Sequence, residues 1–272
     1  MTLTVHPQLE QRSEEWFAQR RGIVTASAVG QLITTRKLSG IDYSCPACNA
    51  AENEPCRAKR GDGTIKTLHP ERAEHARTQA SSTVVEPASN DNSRSLTALL
   101  VAERITGWVE PTFTSDAMWM GIECEPLARD KYSEHYAPVT ECGFMVEDRW
   151  GFRIGCSPDG LVGDDGMIEV KTRYPKTQVA TVLAGVPPIE TMPQLQCALL
   201  VSGRKWLDYV SYSGGMHMWV KRVYPQRQWF DAIVAAVAKF EAAAAEMTLQ
   251  YHDAVTGLHM TERRTEDLGL VI

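Results

Sequence analysis

Residues 157–172 read SPDGLVGDDGMIEVKT. The longer segments GFRIGCSPDGLVG and GMIEVKTRY flank Asp164, Asp165 and Gly166, turn residues that predict a β-hairpin. Side chains alternate along a strand, so Glu169 and Lys171 share one face while Ile168 and Val170 share the other. The apolar pair can anchor the strand in a core and leave the polar pair facing a cleft. Asp159, next to Pro158, sits on the preceding strand, and a hairpin folds it back towards Glu169. Asp164 and Asp165 fall at the tip, away from that meeting point.

Two-metal phosphodiester hydrolysis needs carboxylates around ions about 3.5–4 Å apart and a group that orients the attacking water. Magnesium, a hard ion, prefers carboxylate oxygen and water. Asp159, Glu169 and Lys171 fit that requirement. They fit equally a cross-strand Glu–Lys pair on a wet sheet face, with Asp159 opening a turn. The companions of the stretch decide between the two.

The 272 residues have room for one large domain, or for one domain with a smaller insert. The 43 % hydrophobic and 23 % charged fractions are those of an ordinary globular protein. No apolar run approaches the roughly 18 residues of a membrane span, and the start lacks the basic-then-apolar pattern of a secretory signal. A cytoplasmic chain is expected. A net charge of −6 argues against a surface uniformly coated for nucleic acid, but metal-binding carboxylates lower the count while DNA contacts stay local. Of the seven cysteines, Cys124, Cys142, Cys156 and Cys197 are dispersed, whereas Cys45, Cys48 and Cys56 crowd together. That distribution predicts a local metal site, not a disulfide framework.

Residues 12–35 read as a helix, a loop and a second helix capped by Thr25 or Ser27. Residues 36–92 are polar and end in the linker-like TQASSTVVEPASNDNS. From Ser93, Leu96, Leu99, Leu100 and Ile105 recur at helical spacing up to a C-cap at Gly107. A long helix follows from 115, with a kink or break predicted at Pro126. After the hairpin come a helix from Pro193 to before Gly203, two strands parted by Gly214 and Gly215, and an alanine-rich helix. The pattern predicts an α/β fold, a mixed β-sheet flanked by helices. The expected organisation is one discontinuous domain, 1–40 and 93–272, with an insert at 41–80 and a linker at 81–92.

With these elements in place, SPDGLVGDDGMIEVKT resembles the core motif of the PD-(D/E)XK nucleases, specifically the phage lambda exonuclease and YqaJ-type viral recombinase family. EEWFAQRRGIVTAS, MGIECEPLAR and PQLQCALLVSGRKWLDYVSY resemble further segments of that family, in family order. The resemblance implies that Asp159 bridges two Mg²⁺ (or Mn²⁺) ions. Glu169 and the Val170 carbonyl would bind one ion, and Glu125 the other. Lys171 would orient or deprotonate water and stabilise developing charge. Glu123 competes with Glu125, although two residues apart on a helix they face about 200° apart. Gln194 matches an active-site glutamine, with Gln196 as the alternative.

Arg20, Ser27 and Ser157 match a pocket for the DNA 5′-phosphate, chemistry suited to a guanidinium fork and two hydroxyls. The ordinary readings are a solvated Arg20–Arg21 pair and Ser27 as an N-cap. A further family arginine is replaced by Thr177, leaving Arg173 or Lys176 to substitute. Trp16 is either a stacking or a core residue. His217, Trp219 and 221–227 read as a DNA-channel lining or an exposed strand end.

CPACNAAENEPC continues to His69 as C-x2-C-x7-C-x12-H, a ligand set for structural Zn²⁺ from Cys45, Cys48, Cys56 and His69. His75 is the alternative fourth ligand. The pattern resembles a small phage-type CPxC…C…H-x-x-R zinc finger, surrounded by Arg57, Lys59, Arg60 and Lys66. An iron–sulfur nuclease would spread its cysteines across the nuclease core, which these do not.

The family implies a phage or prophage recombination exonuclease. It would digest one strand of linear duplex DNA 5′→3′ and leave 3′ tails for a single-strand annealing protein. It would act as a homo-oligomer, a trimer by resemblance. The rivals are a nuclease of the same fold without end preference, and a non-catalytic DNA-binding protein.

Overall fold

The computed structural model describes residues 3–58, 60–61, 63–78, 83–110 and 115–263. Along the chain run β1 (Thr4–His6), α1 (Glu14–Arg20), β2 (Val24–Thr25), β3 (Ile33–Lys37), α2 (Pro70–Thr78), β4 (Thr83–Pro87), α3 (Asp91–Thr106) and α4 (Asp116–His135). Then follow β5 (Phe144–Glu147), β6 (Ile154–Cys156), β7 (Gly160–Val162), β8 (Gly166–Thr172), α5 (Pro175–Ala184), α6 (Met192–Ser202), β9 (Trp206–Tyr212), β10 (Trp219–Val223) and α7 (Arg227–Ala254). The chain divides into two units, Met1–Ile33 with Pro87–Ile272, and Thr34–Glu86.

The larger unit is the expected α/β fold, with its strands in two mixed four-stranded sheets, β1-β5-β6-β2 and β10-β9-β8-β7. Between them in the packing is α6, which touches β5 and β6 of one sheet, β9 of the other, and α7. Its sequence explains this: Leu195, Cys197, Ala198, Leu199 and Val201 are all nearly inaccessible. Pro193 opens α6 and left-handed Gly203 closes it, as the sequence predicts.

The quoted stretch forms the predicted hairpin. β7 and β8 are antiparallel, with Gly160 opposite Ile168, and β8 runs parallel to β9. Ile168 and Val170 are buried in a cluster with Ala128 and Tyr132 of α4 and Val210 of β9. Gly166 is required by close approach, since a Cβ there would stand 2.1 Å from the Trp206 ring. That contact and the apolar face of β8 pin the register that places Asp159 beside Glu169.

Three expectations change. The second helix of 12–35 is instead the two-residue strand β2, parallel to Ile154 and Gly155, followed by a 3₁₀ turn at Val29–Leu32. β-Branched Val24 and Thr25 favour that pairing over a helix start. Pro126 does not break α4, which is one helix through it. The expected linker at 81–92 contains β4 at Thr83–Pro87 and the start of α3, with Asn90 as its N-cap. Five further elements, β1, β3, α2, β5 and α5, have no counterpart in the sequence reading. Among the described residues no helix is long and apolar enough to cross a membrane.

The smaller unit contains β3 and β4, a 3₁₀ turn at Gly40–Asp42 and α2. Among the described residues its apolar cluster is Cys45, Ala50 and Cys56, with Cys48, Ile65 and Leu68 packed against them.

Candidate active site

β8 presents Glu169 and Lys171 on one side, and α6 presents Gln194 to both. The Lys171 ammonium donates to Glu169 Oε1 at 2.7 Å and to Gln194 Oε1 at 2.9 Å. Gln194 Nε2 donates to the same Glu169 oxygen. Gln196 points elsewhere: it is fully buried, donates to the Tyr224 carbonyl and accepts the Gln226 N–H, both at 2.9 Å. Of the two glutamines, the structure thus brings only Gln194 to the carboxylate and lysine.

Asp159 accepts the Val170 N–H at 2.6 Å, while its own carbonyl accepts Arg129 Nη1 at 2.9 Å. Arg129 also reaches Glu125 Oε1 at 3.3 Å and Glu141 at 3.4 Å. Glu125 is half-buried and Glu123 exposed, which separates the two carboxylates on α4. Burial pushes the Asp159 carboxyl well above the usual carboxylate range, and the charges of Glu169 and Glu125 push it further. Burial also raises Glu125, against Arg129 and Arg12. Burial works to lower the Lys171 pKa, but Glu169 and Asp159 outweigh it and raise it.

Such a set of mutually repelling oxygens fits a hard dication, whose charge would remove the repulsion. The three carboxylates are not gathered as tightly as the cysteine cluster below, whose ligand atoms all lie within 4.8 Å of one another.

A second polar cluster surrounds Arg20. Its Nη1 donates to Ser157 Oγ at 3.3 Å, and its Nη2 to Thr25 Oγ1 at 3.3 Å and Ser27 Oγ at 3.2 Å. Trp16 Nε1 donates to Ser157 Oγ at 2.9 Å, and the Arg20 guanidinium lies 3.9 Å from the Trp16 ring centre. Burial brings the Arg20 pKa down to about 10, against the charges of Cys156 and Glu103. The guanidinium is still cationic at neutral pH. Its N–H groups occupy lone pairs of three hydroxyls; Thr25 and Ser27 also bond each other at 3.2 Å, which uses one O–H and leaves the other, with that of Ser157, to donate to an anion. Trp16 is neither simply core nor simply stacking: it packs on Ile23, Phe144 and Val146 while holding Ser157.

Arg173 is directed to Tyr209, donating from Nη2 at 2.9 Å, while its Nε is buried without a partner among the described residues. Lys176 and Thr177 are exposed on α5. Neither Arg173 nor Lys176 hydrogen-bonds to the Arg20 cluster, so their substitution for the missing arginine gains no support.

In the smaller unit Cys45, Cys48, Cys56 and His69 meet, with Cys45 Sγ 3.4 Å from His69 Nδ1. Burial opposes ionisation of Cys48, but the N–H groups of Arg57 and Ala50 prevail and bring its thiol down to about 7. A tetrahedral zinc takes such a thiolate and imidazole set. His75 lies outside it, against Tyr43 at 5.8 Å between ring centres. Arg72 is completely buried and donates to the carbonyls of Ile41, Tyr43, Ala51 and Glu54 and to Cys56 Sγ. Arg57, Arg60 and Lys66 are exposed; Lys59 lies outside the described residues.

Comparison with known proteins finds two family models and a set of solved structures. Residues 72–205 match the YqaJ-like viral recombinase domain, and residues 9–88 match the family described as "Putative DNA-binding phage zinc finger domain". Parts of the chain are thus similar to a YqaJ-like viral recombinase domain and to a phage zinc finger. Among solved structures it is similar to an alkaline exonuclease (LHK-Exo) from Laribacter hongkongensis. Identity is 26 %, the TM-score is 0.64, and 91 % of this chain and 100 % of that one are covered. The same exonuclease in complex with dAMP matches at 26 % identity and a TM-score of 0.63, with the same coverage. No curated protein sequence matches the chain.

The recombinase-domain match contains Glu125, Asp159, Glu169, Lys171 and Gln194, whereas Arg20 and Ser27 precede it. Arg129 and Thr25 are part of these clusters but were not singled out from the sequence. The spacing of Arg129, four residues after Glu125, is the available signal, because residues i and i+4 meet on a helix. Thr25 was legible only as a cap.

Proposed function

We propose that this protein is a Mg²⁺-dependent phage or prophage recombination exonuclease. The observation that supports this reading is the hydrogen-bonded Glu169–Lys171–Gln194 set beside Asp159, with Glu125 near enough for its charge to act on Asp159. Glu125, Asp159, Glu169 and the Val170 carbonyl would hold Mg²⁺ or Mn²⁺. Bound there, the ions would polarise the phosphate and lower the pKa of an attacking water. Lys171 lies within hydrogen-bond reach of Glu169 and Gln194, so its ammonium is placed to orient that water and to balance charge on the phosphate. Gln194 fixes the lysine through its carbonyl and Glu169 through its amide.

The Arg20 cluster would take the 5′-phosphate of a DNA end, which supports action from an end and digestion 5′→3′. The relative solved with dAMP holds a mononucleotide, and such a product suits stepwise removal. The 3′ tails would pass to a single-strand annealing protein, and a homotrimer would supply processivity. We place the chain in the cytoplasm of the bacterial host. The zinc-binding segment would be structural, with its exposed basic residues available to DNA phosphates.

Digestion of linear duplex DNA labelled at one 5′ end, beside closed circular DNA, tests the reading. Mg²⁺-dependent release of the 5′ label from the linear form is expected, with the circle intact. Efficient cutting of the circle would replace the exonuclease by an endonuclease, and no hydrolysis of either would leave only a DNA-binding protein.

A further inference from the structure

The turn leading from Arg20 to Thr25 is held from both sides at a single residue. Gly22 has a φ of +66°, and a Cβ there would stand 2.5 Å from Arg104 Cγ, so only glycine fits. Its N–H donates to Glu103 Oε2 at 2.7 Å, and its carbonyl accepts Arg104 Nε at 2.6 Å. Consecutive residues of α3 thus take the donor and the acceptor of one residue. Arg104 is itself anchored by a forked pair with Glu241 of α7, both contacts at 2.7 Å, and lies over the Phe240 ring.

This clamp matters because Arg20 and its hydroxyl partners stand on either side of it. Arg20 ends α1, whereas Thr25 belongs to β2 and Ser27 follows it. The fork spans contacts of 3.2–3.3 Å, so a small pivot at Gly22 would carry them beyond hydrogen-bonding range. Glu103 is 8 % exposed, and burial raises its pKa, against the Gly22 N–H and the charges of Arg20 and Arg21. A buried acid beside a cationic pocket, spent on one backbone N–H, makes sense as a fixture of that pocket.

We propose that Glu103 and Arg104 are positioning residues for recognition of the terminal phosphate. By clamping Gly22 they set the spacing between the Arg20 guanidinium and the hydroxyls of Thr25, Ser27 and Ser157. The proposal rests on the reading of this cluster as a 5′-phosphate site.

The test compares kcat/KM on linear duplexes that differ only in a 5′-phosphate or a 5′-hydroxyl. The parent protein prefers the phosphorylated end. In Glu103→Ala that preference falls about tenfold, the scale of one lost hydrogen bond, through KM and not kcat, with 5′-hydroxyl DNA unaffected. Glu103→Gln keeps an oxygen for the Gly22 N–H and holds the preference within about twofold. If Glu103→Ala does not fold, Glu241→Gln decides, since it loosens Arg104 from the surface of α7 and lowers the preference in the same way. An unchanged preference in Glu241→Gln and any folded Glu103→Ala, or equal losses on both substrates, overturns the clamp. A parent protein with no preference overturns the phosphate pocket itself.

Discussion

The Asp159 carboxylate accepts the Val170 N–H at 2.6 Å, across the hairpin that brings it beside Glu169. The bond fixes one oxygen and leaves the other for a metal or substrate. In Asp159→Asn the side-chain oxygen can still accept that N–H, but the charge is lost. Hydrolysis of linear duplex DNA in Mg²⁺ is expected to fall by about 10²–10³-fold, and similarly in Lys171→Ala. The metal-free Tm of Asp159→Asn does not fall, because a buried charge repelled by Glu125 and Glu169 is removed. Normal hydrolysis in either variant would sink the active-site assignment.

Gln194 and Gln196 stand two residues apart on α6 and should fail in opposite ways. Gln196→Ala strands the Tyr224 carbonyl and the Gln226 N–H, at a cost of about 1–3 kcal/mol. Its kcat should remain near the parent value. Gln194→Ala removes the link between Lys171 and Glu169, so kcat falls while stability stays within about 0.5 kcal/mol. Urea titration and steady-state rates on the two variants check this, and a swap of phenotypes would refute it.

The parts of this molecule that were legible in the sequence are those governed by short periods. Alternation in GMIEVKT separated Glu169 and Lys171 from Ile168 and Val170, and left-handed Gly107 and Gly203 close helices where their sequences predict. The spacing of Cys45, Cys48, Cys56 and His69 was similarly local. What escaped depended on distant partners. β2 is a strand because Ile154 and Gly155 pair with it, about 130 residues away. α5 escaped because Val179, Val182 and Leu183 are exposed, so its apolar residues mark no core-facing stripe. The roles of Glu103 and Arg72 belong to backbone groups that no side-chain pattern encodes.

Glu147 supplies an acid-stability prediction. Its carboxylate is inaccessible and accepts the N–H groups of Asp148 and Arg149 and the Arg149 side chain. Burial works to raise its pKa, but the Arg149 side chain and those N–H groups prevail and hold it below 4.5. A depressed folded-state pKa means that the contribution is complete above about 4.5 and lost as pH falls through the folded value. Glu147→Gln should therefore lower Tm at pH 7 and flatten the decline of Tm below pH 4.5. A parallel downward shift at every pH would show that ionisation of Glu147 is not what the fold uses.

The Cys/His cluster makes the sharpest demand on metal. The Thr34–Glu86 unit has few apolar residues in its core, and small domains with little core usually depend on a metal or a cross-link. One zinc per chain is expected by metal analysis. Cys48→Ser and His69→Ala should lose it, while His75→Ala keeps it, since His75 lies outside the ligand set. Loss of zinc should expose residues 34–86 to protease before the rest of the chain. Arg72→Met tests the same unit without replacing a ligand, although it also removes a donor to Cys56 Sγ. It leaves four backbone carbonyls without their donor, at a cost of more than about 3 kcal/mol, so early proteolysis of this segment is expected even with zinc present. A zinc-free parent protein with a protease-resistant 34–86 segment would show that packing and Arg72 alone hold the unit together.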